Sequence, residues 1–254
     1  PYHLDVVIGI GINIILAVSL NLVNGYTGLF SLGHAGFMSV GAYFSAAISL
    51  FVAPQFLGTE GGTALRQGLL FVAALSAGGL CAALAGLLVG VPSLRLKGDY
   101  LALVTLGFGE IIRVIFQNVE KLGGALGLNG IPAYTTIFWV LAFVAGSVFV
   151  VTCLVHSTYG RGFLATHDDE IASEAVGLNT THYKIVAFVI GAFFAGIAGG
   201  LYGHFKLTIT PTGFGFEKSI EIVVMVILGG MGNTIGVILA AILLTLLPEL
   251  LRPI

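Results

Sequence analysis

Ser31 and His34 stand three residues apart in the stretch NLVNGYTGLFSLGHAGFMSVGAY, residues 21–43. At that spacing a hydroxyl nucleophile and an imidazole base can meet. The surroundings do not favour the chemistry: FSLG lacks the G-x-S-x-G elbow, and no third acid is evident to orient the imidazole. An intramembrane hydrolase is therefore the weakest reading. The six His are dispersed without metal-ligand spacing. No G-x-x-x-x-G-K-S/T loop is present to cradle phosphates, so the chain is not expected to hydrolyse ATP. No catalytic residue, metal site or bound cofactor is expected. Glu110 and Arg113 are also three apart, inside an apolar run, where they share a helical face and can neutralise each other. A proton-coupled carrier would want an unpaired carboxylate, so we read them as a structural ion pair.

The elements that carry these residues follow from composition. Apolar residues make up 57% of the 254 and charged residues 9%, with a mean hydropathy of +1.05, against roughly 25% charge in an average soluble domain. This is the composition of an integral membrane protein. A net charge of −2 and ten scattered Lys and Arg speak against nucleic acid as a partner. Cys81 and Cys153 lie in apolar runs and read as small buried hydrophobes. A span needs about 20 mostly apolar residues to cross roughly 30 Å of hydrocarbon. Residues 4–23, 36–53, 68–91, 136–155 and 185–203 qualify; 101–117 is shorter, and 220–231 and 234–251 are two pieces split by GGMGN. The expectation is an all-α polytopic transmembrane helical bundle of about eight spanning or partly spanning helices with glycine-rich breaks. Gly residues four apart in GLLVG and GIAGG suit close helix packing.

Lys and Arg in short loops mark the cytoplasmic side. Arg95 and Lys97, then Arg161 and Lys184, place two loops inside with two helices between them. Pro1, the loop with Glu60 and Arg66, and the loop 204–219 then fall outside, despite Lys206 and Lys218. The last two pieces are left unoriented, and Pro1 is not taken as the natural terminus.

The stretch 21–43 interrupts two apolar runs with Gly, Asn, Ser and Thr yet has no charge. In hydrocarbon a helix break is tolerated only where protein or water satisfies its backbone. An uncharged, small polar turn at membrane depth suits a solute path, where a fixed charge would trap a zwitterion. Asn24, Thr27, Ser31 and His34 are candidate lining residues; for His34 a hydrogen-bonded packing role is preferred to a gate. GGMGN, 229–233, is a second uncharged break placed to face the first, adding Gly230 and Asn233.

The loop 157–184 is the one long hydrophilic stretch. Thr166 with Asp169 resembles a capping pair, Asp168, Asp169 and Glu170 put negative charge in a first turn, and Gly177 supplies a stop. A helix of about nine residues is expected, with Ile171, Ala172, Ala175 and Val176 on one face and the acids on the other. Asn179, Thr180 or Thr181 then caps the next span. A membrane-surface helix would usually be basic. The acidity favours a docking helix for a cytoplasmic partner over a helix lying on lipid.

The ordered motifs NLVNGYTGLFSLGHAGFMSVGAY, PSLRLKGDYLALVTLGFGEIIRVIFQN, GRGFLATHDDEIASEAVGLN and VILGGMGNTIG resemble the LivM-type membrane permease of branched-chain amino acid ABC importers over nearly the whole chain. The resemblance implies one transmembrane permease domain over 1–254 with a cytoplasmic coupling loop at 157–184. It implies inward movement of small polar amino acids by alternating access, in a bacterial or archaeal plasma membrane. It further implies a second homologous permease subunit, two cytoplasmic ATPase subunits carrying ATP and Mg, an extracytoplasmic solute-binding protein and surrounding lipid as partners. Similar permeases import urea or short amides, so the motifs do not name the solute. ATPase-coupling candidates are Arg161, Asp168, Asp169, Glu170, Ala172, Glu174 and Gly177. Of the E-A-A-x-x-x-G pattern of such loops, only Ala172 and Gly177 match, Ile171 and Ser173 departing from it. Family members usually carry a further helix before residue 4. The alternative is a stand-alone secondary transporter or channel, which needs no acidic docking helix.

Overall fold

The computed structural model describes residues 2–52, 64–94, 96 and 99–251. Pro1, Glu60, Arg95 and Lys97, used above for orientation, lie outside the described residues, as does Ala53 at the end of the second expected span. The apolar runs form α1 (Tyr2–Asn24), α2 (His34–Ala47, continued by a π-helical turn Ile48–Val52), α3 (Ala64–Ser93), α4 (Asp99–Asn118) and α5 (Ile137–His156). The hydrophilic loop holds α6 (Thr158–Asp168) and α7 (Glu170–Ala175), and then follow α8 (Thr180–Lys206), α9 (Phe216–Gly229) and α10 (Thr234–Leu250). Two-residue strands β1 (Leu128–Asn129) and β2 (Thr208–Ile209) pair antiparallel.

Six helices among the described residues are long and apolar enough to cross a membrane. α9 and α10, with 14 and 17 residues, reach about 21 and 25 Å at 1.5 Å per residue, short of the roughly 30 Å of hydrocarbon. They are the two partial spans. The chain is thus an all-α polytopic helical membrane protein. α1 is its axis, buried over most of its length and packed against α5, α8, α9 and α10, whereas α5 is exposed over most of its length. α2, α3 and α8 form the tightest group. There a Cβ on Gly41 would lie 2.1 Å from the Gly196 carbonyl oxygen, so two helix backbones touch as small residues allow. Cys81 is partly buried, but Cys153 is exposed on α5 rather than buried, because α5 is peripheral.

The loop 157–184 departs from expectation. It folds as two helices meeting at Asp169, not as one helix of about nine residues. Thr166 is no cap: its hydroxyl donates to the Gly162 carbonyl at 2.8 Å. Asp169 alone caps α7, its Oδ1 accepting from the Ile171 and Ala172 amides at 2.9 and 3.0 Å. Helix α6 was hidden by its glycines. TYGRG reads as a breaker, yet a Cβ on Gly160 would lie 1.7 Å from the Val155 carbonyl oxygen, so the residue is needed for close approach inside a helix. Asn179 caps α8 through the His182 amide at 3.1 Å, and Gly177 adopts φ +88°, the left-handed stop.

Candidate functional site

At one end of the bundle, the inner end by the Lys and Arg distribution, the break after α1 meets the hydrophilic loop. The 23 residues of α1 rise about 34 Å, about a full hydrocarbon thickness, and lead into the break. Its polar groups are spent on its own backbone. The Asn24 amide accepts from the Ser31 N–H at 3.1 Å and donates to the Ser31 carbonyl at 3.4 Å; the Thr27 hydroxyl donates to the Val23 carbonyl at 2.7 Å. Leu32 N–H donates to Thr105 Oγ1 on α4 at 3.1 Å. These bonds supply the partners that a helix end lacks.

His34 is 2% exposed and its Nε2 lies 2.8 Å from Ser19 Oγ. That hydroxyl donates its hydrogen to the Leu16 carbonyl at 3.0 Å, so Nε2 is the donor. The imidazole's partner is Ser19 rather than Ser31, which leaves the hydrolase reading without its pair. The two breaks touch. Gly232 N–H donates to Asn21 Oδ1 at 2.9 Å and the Tyr26 and Thr234 hydroxyls are 2.8 Å apart. A Cβ on Gly25 would lie 2.3 Å from Gly232 N. Asn21 Nδ2 is buried without a hydrogen-bond partner among the described residues. Gly230 has φ +85° and is exposed, and Asn233 caps α10 through the Gly236 amide at 3.1 Å. Of the six path candidates, Thr27 lines a 390 Å³ inner cavity, shared with Phe30, Leu101, Asp168, Glu170 and Lys184. Asn24, Ser31 and His34 are packed within the turn.

The break also touches the loop directly. Gly28, at φ +68°, passes so close that a Cβ would lie 2.9 Å from His167 Cδ2. Among the coupling candidates, Glu170 pairs with Lys184 at 2.7 Å, Glu174 accepts from the Thr180 hydroxyl at 2.7 Å, and Asp169 is the α7 cap. Asp168 stays solvated beside His167, and Arg161 is exposed, reaching Thr158 at 3.4 Å. The acids therefore mostly hold the loop in place. Beside the exposed acids an apolar face is also open: Ile171 is 75% and Val176 78% exposed, with Ala172 and Ala175 exposed between them. The periodicity showed this face, but not that it points away from the bundle.

At the outer end, Glu110 and Arg113 pair at 2.6 Å with 36% and 28% of their side chains exposed. They line a 630 Å³ cavity with Thr212, Lys218 and Glu221, so the pair, about midway along the apolar helix α4, faces open space and is not packed into the bundle. Lys218 pairs with Glu221 at 3.0 Å and donates to Asn13 Oδ1 at 3.2 Å, and Asn13 donates to Thr245 Oγ1 at 2.9 Å. Sequence reasoning missed this network, since Lys218 and Asn13 are joined only by the fold. No group of His, Cys, Asp and Glu able to hold a metal occurs among the described residues.

The family described as branched-chain amino acid transport system / permease component matches residues 2–254. The chain is 37% and 38% identical, over 276 residues, to the high-affinity branched-chain amino acid transport system permease proteins LivM of Salmonella typhimurium and Escherichia coli. Each match covers 95% of this chain and 61% of the relative, so the chain spans about three fifths of their length. A shorter match, 30% identical over 115 residues, joins 45% of the chain to 36% of the permease protein LivH of Salmonella typhimurium.

Proposed function

The chain belongs to the family of branched-chain amino acid transport permease components, and from that premise we propose that it is a membrane permease subunit of an ABC importer. The match over residues 2–254 carries this reading. In it, 1–254 acts as one transmembrane permease domain of a plasma membrane and moves branched-chain or similar small amino acids inward by alternating access. A LivH-like second permease completes the pathway. Two ATPase subunits supply ATP and Mg chemistry, and an extracytoplasmic binding protein delivers solute; this chain catalyses no reaction. Two features of the structure support the coupling part. The exposed Ile171–Val176 face offers an apolar surface to a cytoplasmic partner, and Gly28 against His167 links that surface to the break.

The test is co-purification in mild detergent followed by reconstitution. ATPase and second permease subunits should co-purify, and leucine uptake should require ATP. Ile171→Asp with Val176→Asp should reduce retained ATPase about tenfold, as desolvating two carboxylates in an apolar interface costs more than 1.4 kcal/mol. Solute flux through this chain alone, without an ATPase, would replace the reading with a stand-alone transporter.

A further inference from the structure

Where α3 and α5 begin, at the outer end by the Lys and Arg distribution, a 230 Å³ cavity is lined by Phe71, Tyr134 and Trp139 together with Gln67, Gly68 and Thr136. Its lining carries no charged side chain. The volume lies below the roughly 300–1,000 Å³ of whole small-molecule sites, so it admits a headgroup rather than a large ligand. The Phe71 ring stands steeply to both neighbours, 5.9 Å from Tyr134 at 64° and 5.8 Å from Trp139 at 72°. The three rings are therefore walls and not one stack. Buried His204 backs them, stacking on Tyr134 at 6.0 Å and 17° and meeting Phe71 at 5.1 Å. Its own ring nitrogens are fixed, 2.8 Å from the Gly200 carbonyl and 2.8 Å from the Ser49 hydroxyl. Trp139 rests on α3, since a Cβ on Gly68 would lie 3.3 Å from its Cζ2. The walls are held before any ligand arrives.

An aromatic ring is electron-rich over its face, so a cavity walled by rings and without charge of its own favours a cation over an anion. Arg66, one position before Gln67, is exposed and enters no ion pair among the described residues. The same helix end thus holds a positive charge available to a phosphate. The starts of two spans mark the membrane boundary, where Trp and Tyr collect, and Trp139 is the one Trp of the sequence. Beside the cavity the exposed side chains are apolar, Leu65 and Leu69 on α3 and Phe138 and Leu141 on α5. We propose that this cavity binds the ammonium headgroup of a zwitterionic phospholipid in the outer leaflet, with its phosphate toward Arg66 and its acyl chains along the exposed faces of α3 and α5. The proposal rests on the chain's being a helical membrane protein and is independent of the importer reading.

The experiment takes the full-length protein with the subunits that co-purify with it, delipidated in detergent, and titrates it with phosphatidylethanolamine or phosphatidylglycerol of identical acyl chains. Native mass spectrometry counts the bound lipid. Phosphatidylethanolamine should bind about threefold to tenfold tighter than phosphatidylglycerol, whose headgroup has no ammonium. Trp139→Leu and Tyr134→Leu should each bring the two lipids within about twofold of one another, whereas Trp139→Phe, which keeps a ring, should retain part of the preference. Should Trp139→Leu fail to assemble, the other two variants give the same comparison. Phe149→Leu, on the exposed face of α5 outside the cavity, should change neither lipid. Arg66→Gln should weaken both about threefold, because both carry a phosphate. Equal affinities in the parent, a preference intact in Tyr134→Leu and Trp139→Phe, or its loss in Phe149→Leu overturns the site. Unchanged binding in Arg66→Gln, or full competition by glycerophosphoethanolamine, the same headgroup without acyl chains, overturns the lipid as its occupant.

Discussion

The two ends of this bundle handle polar groups in opposite ways. At the inner end, Asn24, Thr27, Ser31 and His34 are bonded within the turn or to α1, and Glu170, Glu174 and Asp169 are bonded within the loop that touches it. At the outer end, Asp5, Lys206, Glu110 and Arg113 face cavities. A group whose bonds are satisfied by its own backbone has little left for a solute, whereas it makes the segment move as a unit. On the importer reading proposed above, the inner end would carry a displacement from the exposed Ile171–Val176 face through His167 and Gly28 to two breaks in contact. The cavities at the other end leave charged side chains such as Lys218 and Glu221 facing open space.

The largest effect should come from the contact between the breaks. A Cβ at Gly25 would sit 2.2 Å from Asn21 Oδ1 and 2.3 Å from Gly232 N; the second is backbone, and the first is held by its bond from Gly232 N–H. Overpacking costs about 1–3 kcal/mol even where side chains can adjust. Gly25→Val should lower the yield of assembled complex at least about tenfold, or 1.4 kcal/mol, read by detergent extraction and thermal unfolding. Gly146 on α5 provides the contrast, since a Cβ there meets nothing within 4 Å. Gly146→Ala should be neutral or stabilising by up to about 1 kcal/mol through helix propensity. Equal tolerance at both positions would mean that the breaks are loosely packed.

An intermediate effect is expected where the loop is tied to α8. Lys184 and Glu170 pair at 2.7 Å with 10% and 26% of their side chains exposed, between the exposed and the fully buried cases. Removing either partner should cost about 1–3 kcal/mol, between the values typical of those cases. The double replacement with Met and Gln should cost less than the sum. Hydrogen exchange over 170–176 should quicken in both single variants. Unchanged exchange would mean that α7 is held by its Asp169 cap and apolar contacts alone.

The legible parts of this molecule are those decided by neighbours in sequence. Five spans followed from runs of about 20 apolar residues and a sixth from the shorter run 101–117, and the Gly177 stop and a cap at 179–181 from residues within a turn of the helix ends they serve. That the two uncharged breaks face each other was expected from the sequence, but not the bond that joins them, since Asn21 and Gly232 stand 211 positions apart. Helix α6 went unread because Gly160 and Gly162 have two meanings, chain breaker or close approach, and only the neighbouring Val155 and Tyr183 decide between them. Direction was illegible as well. The helical period grouped Ile171 with Val176, but the outward turn of that face depends on Glu170 finding Lys184, fourteen residues on. At the outer end, the hydropathy that set Glu110 and Arg113 inside a span carried no sign that α4 opens there onto a cavity.

That cavity makes the Glu110–Arg113 pair the smallest and sharpest test of the contrast between the ends. A desolvated pair that loses one partner leaves an uncompensated charge and costs about 3–5 kcal/mol. A solvated pair on one helix face is worth about 0–1 kcal/mol, because water replaces the missing partner and salt screens what remains. With about a third of each side chain exposed, the second case applies. Glu110→Gln and Arg113→Met should each shift stability by no more than about 1 kcal/mol, with a coupling energy of a few tenths that shrinks as salt rises. The check is a double-mutant cycle by thermal unfolding of the assembled complex at low and high salt. Single losses of several kcal/mol that the double replacement relieves would place the pair in a desolvated interior, and the outer end would then resemble the inner one, with its charges committed to the fold instead of to what arrives from outside.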